Sequence, residues 1–217
     1  MDGQNNDKIL YIDNAAMLKD FSDQVNAKNQ YTDYTIKLNC DVVWNSGNAA
    51  DWAEKAPANE WVPIGNANIM FEGTFNGRGH TISGLYISEP SNGLGLFGMV
   101  RNATIKNFKL TNSFVQSTMA STTFEAGNFS NYAYIGAIAS YAANSTIDTV
   151  YTDAIVWNQG EMTGGFVGLS NTMNSPITLN NCWFDGTIVQ EDSGVRKGDG
   201  SLACSFAGGL IGLLRNN

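Results

Sequence analysis

The stretch GLGLFGMVRNATIKNFKL, residues 93–110, contains two short motifs that recur along the chain. The first motif has six positions, which are apolar, any residue, small or amide, apolar, any residue, and usually apolar. Its copies are ISGLYI (82–87), IKNFKL (105–110), IDTVYT (147–152) and LNNCWF (179–184). The second motif occurs as GLFG, AIAS, GFVG and GLIG, which end at residues 98, 140, 168 and 212. Two motifs that recur in a constant order indicate a structural repeat.

The spacing of these motifs predicts a solenoid. The first motif begins at residues 82, 105, 147 and 179, which suggests a turn of about 23 residues with insertions in the later turns. Successive coils of a solenoid stack because none can bury its inner face alone. We expect an all-β fold, a right-handed parallel β-helix, over residues 35–217, with insertions near 45–60, 112–134 and 190–205. A β-sandwich is the alternative, but it does not explain the constant order.

A different pattern precedes the repeats. In NAAMLKDFSDQVNAKN, the residues Met17, Leu18, Phe21 and Val25 recur at helical spacing. This predicts an α-helix over about 13–29, with residue 13 or 14 as its N-cap. Because the ends of a solenoid expose apolar core and strand edges, we expect this helix to cap the first coil. Residues 1–217 then form a single domain, and further repeats or domains of the same polypeptide are expected at its C-terminal end.

The composition excludes several classes of protein. Charged residues make up 15% of the chain, Lys and Arg together number 12, and the net charge is −8. Nucleic-acid-binding domains usually carry a basic patch, so we expect no nucleic-acid partner. No apolar run reaches the roughly 18 residues of a membrane span, so we expect no membrane insertion. Nothing in the sequence calls for a cofactor.

The second motif resembles the GLUG family, named for a Gly-Leu-hydrophobic-Gly pattern. GLGLFG, TGGFVG and AGGLIG are similar to it, and WVPIG followed by FEGTFNGRGHTISGLYI resembles the stretch that precedes such repeats. The resemblance spans roughly residues 9–212. It implies an extracellular or bacterial cell-surface protein, adhesin-like or related to the non-catalytic parts of bacterial immunoglobulin A peptidases. The family provides no catalytic residues.

The glycines of this motif are expected to be structural. They are Gly95, Gly98, Gly165, Gly168, Gly209 and Gly212. The copy YIGAIAS departs from the family pattern, because Ala and Ser replace both glycines.

The single histidine, His80, lies in NGRGHTISGLYI (76–87). A phosphate-binding loop would open a helix, whereas a strand pattern follows here. Glycoside hydrolysis uses a pair of carboxylates, and the sequence contains no Asp-Asp pair. We therefore interpret His80 as a residue that fastens the glycine-rich corner by a hydrogen bond, and we predict no catalytic residues. A carbohydrate-active enzyme, either a polysaccharide lyase or a glycosidase, remains an alternative, in which two or more carboxylates, or His80 and a carboxylate, would meet in a cleft.

The first motif predicts a binding surface. Its fifth position should face outward, which aligns Tyr86, Lys109, Tyr151 and Trp183 in one column. Flat aromatic side chains on a rigid sheet suit the faces of sugar rings. The column therefore favours contact with a glycan, or with a host or microbial surface protein. In the alternative, the insertion at 112–134 covers the column and the domain is a structural spacer.

A second candidate lies in the loop at 45–61. Trp52 and Glu54 of this loop could meet a ligand, although Trp52 could equally pin the loop to the scaffold. The acidic residues of the loop lack the spacing of an EF-hand, so we predict no metal site.

Overall fold

The structure is a computed structural model that describes residues 8–119, 132–171, 176–191 and 206–215. Within these ranges the chain forms the helix α1 (Ala15–Asn26), a short 3-10 helix (Ala49–Asp51) and twenty β-strands. The strands are β1 (Ile9–Ile12), β2 (Thr35–Leu38), β3 (Val42–Val43), β4 (Thr74–Asn76), β5 (Thr81–Ser83), β6 (Tyr86–Glu89), β7 (Phe97–Arg101), β8 (Thr104–Thr111), β9 (Phe114–Ser117), β10 (Tyr134–Gly136), β11 (Ala139–Ala143), β12 (Thr146–Thr152), β13 (Ile155–Asn158), β14 (Met162–Gly164), β15 (Val167–Asn171), β16 (Thr178–Asn180), β17 (Trp183–Phe184), β18 (Thr187–Gln190), β19 (Phe206–Gly208) and β20 (Ile211–Arg215).

These strands form four parallel sheets. Sheet I has the order β1-β2-β4-β8-β12-β16, with β3 and β5 paired to each other, β5 also to β8, and β17 to β12. Sheet II has the order β7-β11-β15-β20, sheet III β6-β9-β13-β18, and sheet IV β10-β14-β19. From β7 onward the chain visits the sheets in the constant order II, I, III, IV. We call each such circuit a rung. The prediction of a mostly β fold built from parallel strands is confirmed.

The second motif stacks in register in sheet II. Phe97, Ala139, Val167 and Ile211 are aligned on neighbouring strands. The copy AIAS therefore occupies its own rung, although it lacks both glycines. Its buried Ser140 replaces the last glycine and donates a hydrogen bond to the carbonyl oxygen of Gly98 on the preceding rung.

Most glycines of this motif lie where neighbouring backbones leave no room for a side chain. A Cβ atom at Gly168 would lie 2.5 Å from the amide nitrogen of Ile135, and one at Gly212 would lie 2.7 Å from the carbonyl oxygen of Gly168. Gly95, Gly98 and Gly165 likewise face carbonyl oxygens of neighbouring rungs. Gly209 differs, because a Cβ atom there would meet nothing within 4 Å.

The first motif stacks in sheet I with one exception. Ile105, Ile147 and Leu179 are aligned, but the segment ISGLYI does not join them. The aligned partner of Ile105 is Phe75, so the counterpart of the motif is FNGRGHTI (75–82). That segment has two additional residues at its bend, and this insertion conceals the pattern.

Sheet I bends at the third position of the first motif, where the sequence has Asn or Thr. Asn107, Thr149 and Asn181 have φ angles of 58°, 55° and 48°. These values lie in the left-handed region, which Asn adopts more readily than other non-glycine residues. A single left-handed residue reverses the pleat locally, so the strand turns a corner without leaving sheet I.

Helix α1 follows a strand that the sequence pattern did not reveal, β1, which pairs with β2. The Asn14 side chain accepts a hydrogen bond from the amide of Met17 and so caps the helix. Leu18, Phe21 and Val25 are buried in the main apolar core. Phe21 packs edge-to-face on Phe71, with the ring centroids 5.7 Å apart.

The predicted insertions correspond only in part to irregular segments. Residues 114–117 are not an insertion, because they form β9 between β6 and β13, where Phe114 and Val115 are buried. Residues 120–131 of the same predicted insertion, and most of the insertion at 190–205, lie outside the described residues. The segment 45–60 contains the 3-10 helix.

Candidate functional site

A groove of about 580 Å³ lies over the corner of sheet I, where strands β8 and β12 bend. Its walls come from the turn at 76–79, from both bent strands, and from residues 181 and 183 on the last rung. The lining residues are Asn76, Arg78, Gly79, Asn107, Phe108, Lys109, Thr149, Val150, Tyr151, Asn181 and Trp183.

One wall of the groove is a column of three predicted residues. Lys109 is aligned with Tyr151, and Tyr151 with Trp183, on successive strands. Neighbouring strands are about 4.8 Å apart, so the column extends over about 10 Å. The Trp183 side chain is 68% exposed. The column therefore presents two aromatic rings and an ammonium group on one open surface.

Hydrogen bonds between side chains hold the bends that form the floor. The Asn107 amide donates to the Asn76 Oδ1 atom at 3.3 Å. The hydroxyl of Thr149 and the amide of Asn181 both donate to Asp148 Oδ1, at 3.2 and 3.4 Å. The contacts of Asn107 and Asn181 link successive rungs, so the groove is a preformed part of the scaffold.

The charges that line the groove are cationic. Arg78 and Lys109 are the charged lining residues, and no carboxylate belongs to the lining. Arg78 donates to the neutral amide oxygen of Asn39 at 2.5 Å. The carboxylates of Asp148 and Asp185 border the groove and accept hydrogen bonds from Thr149, Asn181 and Tyr151, so the positive charge belongs to the lining and not to its surroundings.

Tyr151 is neutral at physiological pH. Desolvation, together with the negative charges of Asp153 and Asp185, raises the pKa of its phenol above the ordinary value of 10.0. Its hydroxyl lies 3.5 Å from Asp185 Oδ2. The ring therefore offers an uncharged face and a polar edge, which is the chemistry that suits a sugar ring.

The expectation that Tyr86 belongs to the column is wrong. Thr81 is aligned with Lys109, whereas Tyr86 lies in sheet III opposite Phe114. The Tyr86 ring stacks on that of Phe114, with centroids 5.9 Å apart. The reason is that ISGLYI begins at Ile82, which is aligned with the last motif position, Leu110, so its fifth residue already lies in sheet III.

The loop at 45–61 does not present Trp52 to solvent. Trp52 is 4% exposed and packs edge-to-face against Tyr86, with ring centroids 6.1 Å apart. It therefore pins the loop to sheet III, and the proposal that it meets a ligand is wrong. Glu54 is exposed after the 3-10 helix, but it does not line the groove.

His80 makes a hydrogen bond at the corner beside the groove. Its Nδ1 atom lies 3.2 Å from Asp41 Oδ1, which also accepts a hydrogen bond from the Thr81 amide at 2.9 Å. These two bonds lower the pKa of the Asp41 carboxyl, and the amide bond has the larger effect. Neither His80 nor Asp41 lines the groove. The pair joins the turn at 39–41 to the next rung.

Among the described residues, no group of three His, Cys, Asp or Glu side chains is placed to hold a metal ion. No helix of the described ranges has the length and apolar character needed to cross a bilayer.

The sequence pattern did not reveal Arg78 or Asn76 as groove residues. Both belong to the concealed copy of the first motif, FNGRGHTI. The available signal was the glycine-rich stretch NGRG before the strand, since glycine is favoured where φ is positive, and Arg78 and Gly79 have φ angles of 54° and 87°.

Comparisons with known proteins give one similar segment. Over 77 residues the chain is 35% identical to a protein of Evansella cellulosilytica whose provisional name is Gly-rich membrane protein. This segment covers 35% of the chain and 9% of that protein, so the chain corresponds to a small part of its relative. No family model matches the chain, and no solved structure matches it.

Proposed function

We propose that the chain is a right-handed parallel β-helix that serves as a non-enzymatic surface module and binds glycans through the groove on sheet I. The constant order of sheets II, I, III and IV supports the β-helix, because each complete rung from β7 onward extends all four sheets in turn. Right-handedness is the hand that parallel crossover connections almost always take. Helix α1 is then the N-terminal cap, since its buried face packs on Phe71 and Phe75.

The observation that carries the function is the column of Lys109, Tyr151 and Trp183 along an open groove. Ligand sites combine apolar and aromatic lining with a few polar groups that orient the ligand. Here the aromatic rings provide stacking faces, while Asn107, Thr149 and Asn181 provide hydrogen-bonding groups beside them. This combination suits an oligosaccharide that lies across the rungs.

An extracellular or bacterial cell-surface location belongs to the same proposal. It is supported by the resemblance of the sheet II motif to GLUG repeats and by the name of the relative, a Gly-rich membrane protein. We also propose that further repeats or domains of the polypeptide pack beside β20. Leu210 and Leu214, before and on this strand, are 41% and 54% exposed, and β20 pairs on one side only among the described residues.

A glycan array tests the function. The chain, a Tyr151→Ala/Trp183→Ala variant and a Tyr11→Ala control are applied to the same array. Tyr11 is an exposed aromatic residue on β1, outside the groove. We expect the chain and the control to bind the same glycans, and the double variant to lose at least tenfold in affinity, which corresponds to about 1.4 kcal/mol. Binding that the folded double variant retains would contradict the proposal.

A further inference from the structure

The groove has a charge pattern that the aromatic column alone does not explain. Its charged lining residues are Arg78 and Lys109, and its remaining lining is neutral. A surface chosen at random on this chain would be acidic, since 20 Asp and Glu residues oppose 12 Lys and Arg. The carboxylates of Asp148 and Asp185 border the groove and are engaged by Thr149, Asn181 and Tyr151. The two lining cations have no anionic partner among the described residues, so they favour an anionic group placed against them.

The Lys109 ammonium is available to a ligand. Within the described residues its side chain has no hydrogen bond and no ion pair, and it is exposed. Its backbone is fixed, because its amide donates to the His80 carbonyl oxygen at 3.1 Å. Lys109 also lies beside Tyr151 on the neighbouring strand, so an acid group on a sugar stacked over Tyr151 can reach it.

Arg78 is positioned by similar means. Its amide donates to Asn76 Oδ1 at 2.9 Å, and its guanidinium is held by Asn39, a neutral partner. A guanidinium that is held by an amide keeps its full charge and further N–H donors for a carboxylate or sulfate. Cations therefore stand both on the turn at 76–79 and on β8.

We infer that the groove binds acidic saccharides, in which a carboxylate or sulfate group contacts Lys109 and Arg78 while the sugar rings stack on Tyr151 and Trp183. The inference rests on the proposed glycan-binding function and specifies its ligand class. Neutral glycans would use the stacking faces alone and bind more weakly.

Matched pairs of ligands test the inference by titration calorimetry. One pair is a short oligomer of α-1,4-linked galacturonate and the same oligomer after reduction of its carboxyl groups. The other is a sulfated oligosaccharide and its desulfated form, which separates sulfate from carboxylate recognition. Each ligand is titrated into the chain, a Lys109→Gln variant, a Trp183→Ala variant and a Lys55→Gln control. Lys55 is an exposed lysine outside the groove, so its variant has the same net charge as Lys109→Gln.

We expect at least one acidic ligand to bind about tenfold more tightly than its neutral form, and Lys109→Gln to remove most of that difference, because a hydrogen bond to a charged group is worth about tenfold in affinity. Lys55→Gln should leave it unchanged. Equal binding of acidic and neutral forms, weakened by Trp183→Ala, would overturn the inference and leave the proposed function standing. An acidic preference that Lys109→Gln does not reduce would also overturn it. If none of these ligands binds and the array shows no binding either, both proposals fail.

Discussion

Asp41 and His80 show how single side chains fasten one rung to the next. One carboxylate oxygen accepts hydrogen bonds from the Thr81 amide and from the His80 ring. Both hydrogen bonds favour the ionised carboxylate, so the Thr81 amide bond and, to a smaller extent, the His80 contact lower the pKa of Asp41. The corner therefore prefers the charged form, which links its stability to pH.

We predict that Asp41 makes the stability of the chain depend on pH in the acidic range. The unfolded chain takes up a proton on Asp41 near the ordinary pKa of 3.8, whereas the folded chain takes it up at lower pH. The contribution of Asp41 to the free energy of unfolding is thus complete above pH 3.8 and is lost as the pH falls through the lower, folded pKa. Urea unfolding of the chain and of the Asp41→Asn variant is measured from neutral to acidic pH. The difference between their free energies of unfolding should shrink in this window. A difference that is constant with pH would contradict the prediction, and Glu54→Gln is the control for an exposed carboxylate outside the corner.

At the scale of the elements, each rung is held by close backbone contact in sheet II and by left-handed bends in sheet I. The contacts in sheet II require glycine where a neighbouring backbone approaches, as at Gly168 beside Ile135. Ser140 shows the exception, because its hydroxyl bonds to the backbone of Gly98 on the preceding rung. The same motif position therefore accepts a small polar residue at Ser140, where a hydrogen bond compensates for the closer contact.

Two substitutions within one motif test this account. Gly168→Ala should destabilise the chain by about 1–3 kcal/mol, the usual cost of overpacking, because its Cβ atom would lie 2.5 Å from the Ile135 amide nitrogen. Gly209→Ala should change the stability by less than about 0.5 kcal/mol, since nothing lies within 4 Å of its Cβ atom. Thermal or urea unfolding of both variants provides the measurement. Equal losses of stability in the two variants would contradict this account, because only Gly168 faces a close backbone contact.

Some of these bends and strands could be predicted from the sequence, and others could not. The bends at Asn107, Thr149 and Asn181 were predictable because those three copies of the motif have equal length. The copy at 75–82 was not, because its two additional residues at the bend break the pattern and made ISGLYI look like a better match. Strand β1 was missed since its four residues, ILYI, lack an alternation of apolar and polar positions.

At the scale of the whole molecule, the groove exists because consecutive rungs keep one register. Lys109, Tyr151 and Trp183 lie far apart in the chain and become neighbours only when β8, β12 and β17 pair. The sequence predicted these three residues from the motif, but it could not predict the cationic lining. Arg78 enters the groove from the concealed copy, and its contribution depends on the turn at 76–79.

The central claim is that this groove binds sugar, and the crystal structure of the chain with an oligosaccharide selected by the glycan array tests it most directly. We predict a sugar ring stacked on Trp183 or Tyr151, with an acid group hydrogen-bonded to the Lys109 Nζ atom. A sugar bound elsewhere on the chain, with this groove empty, would contradict the claim.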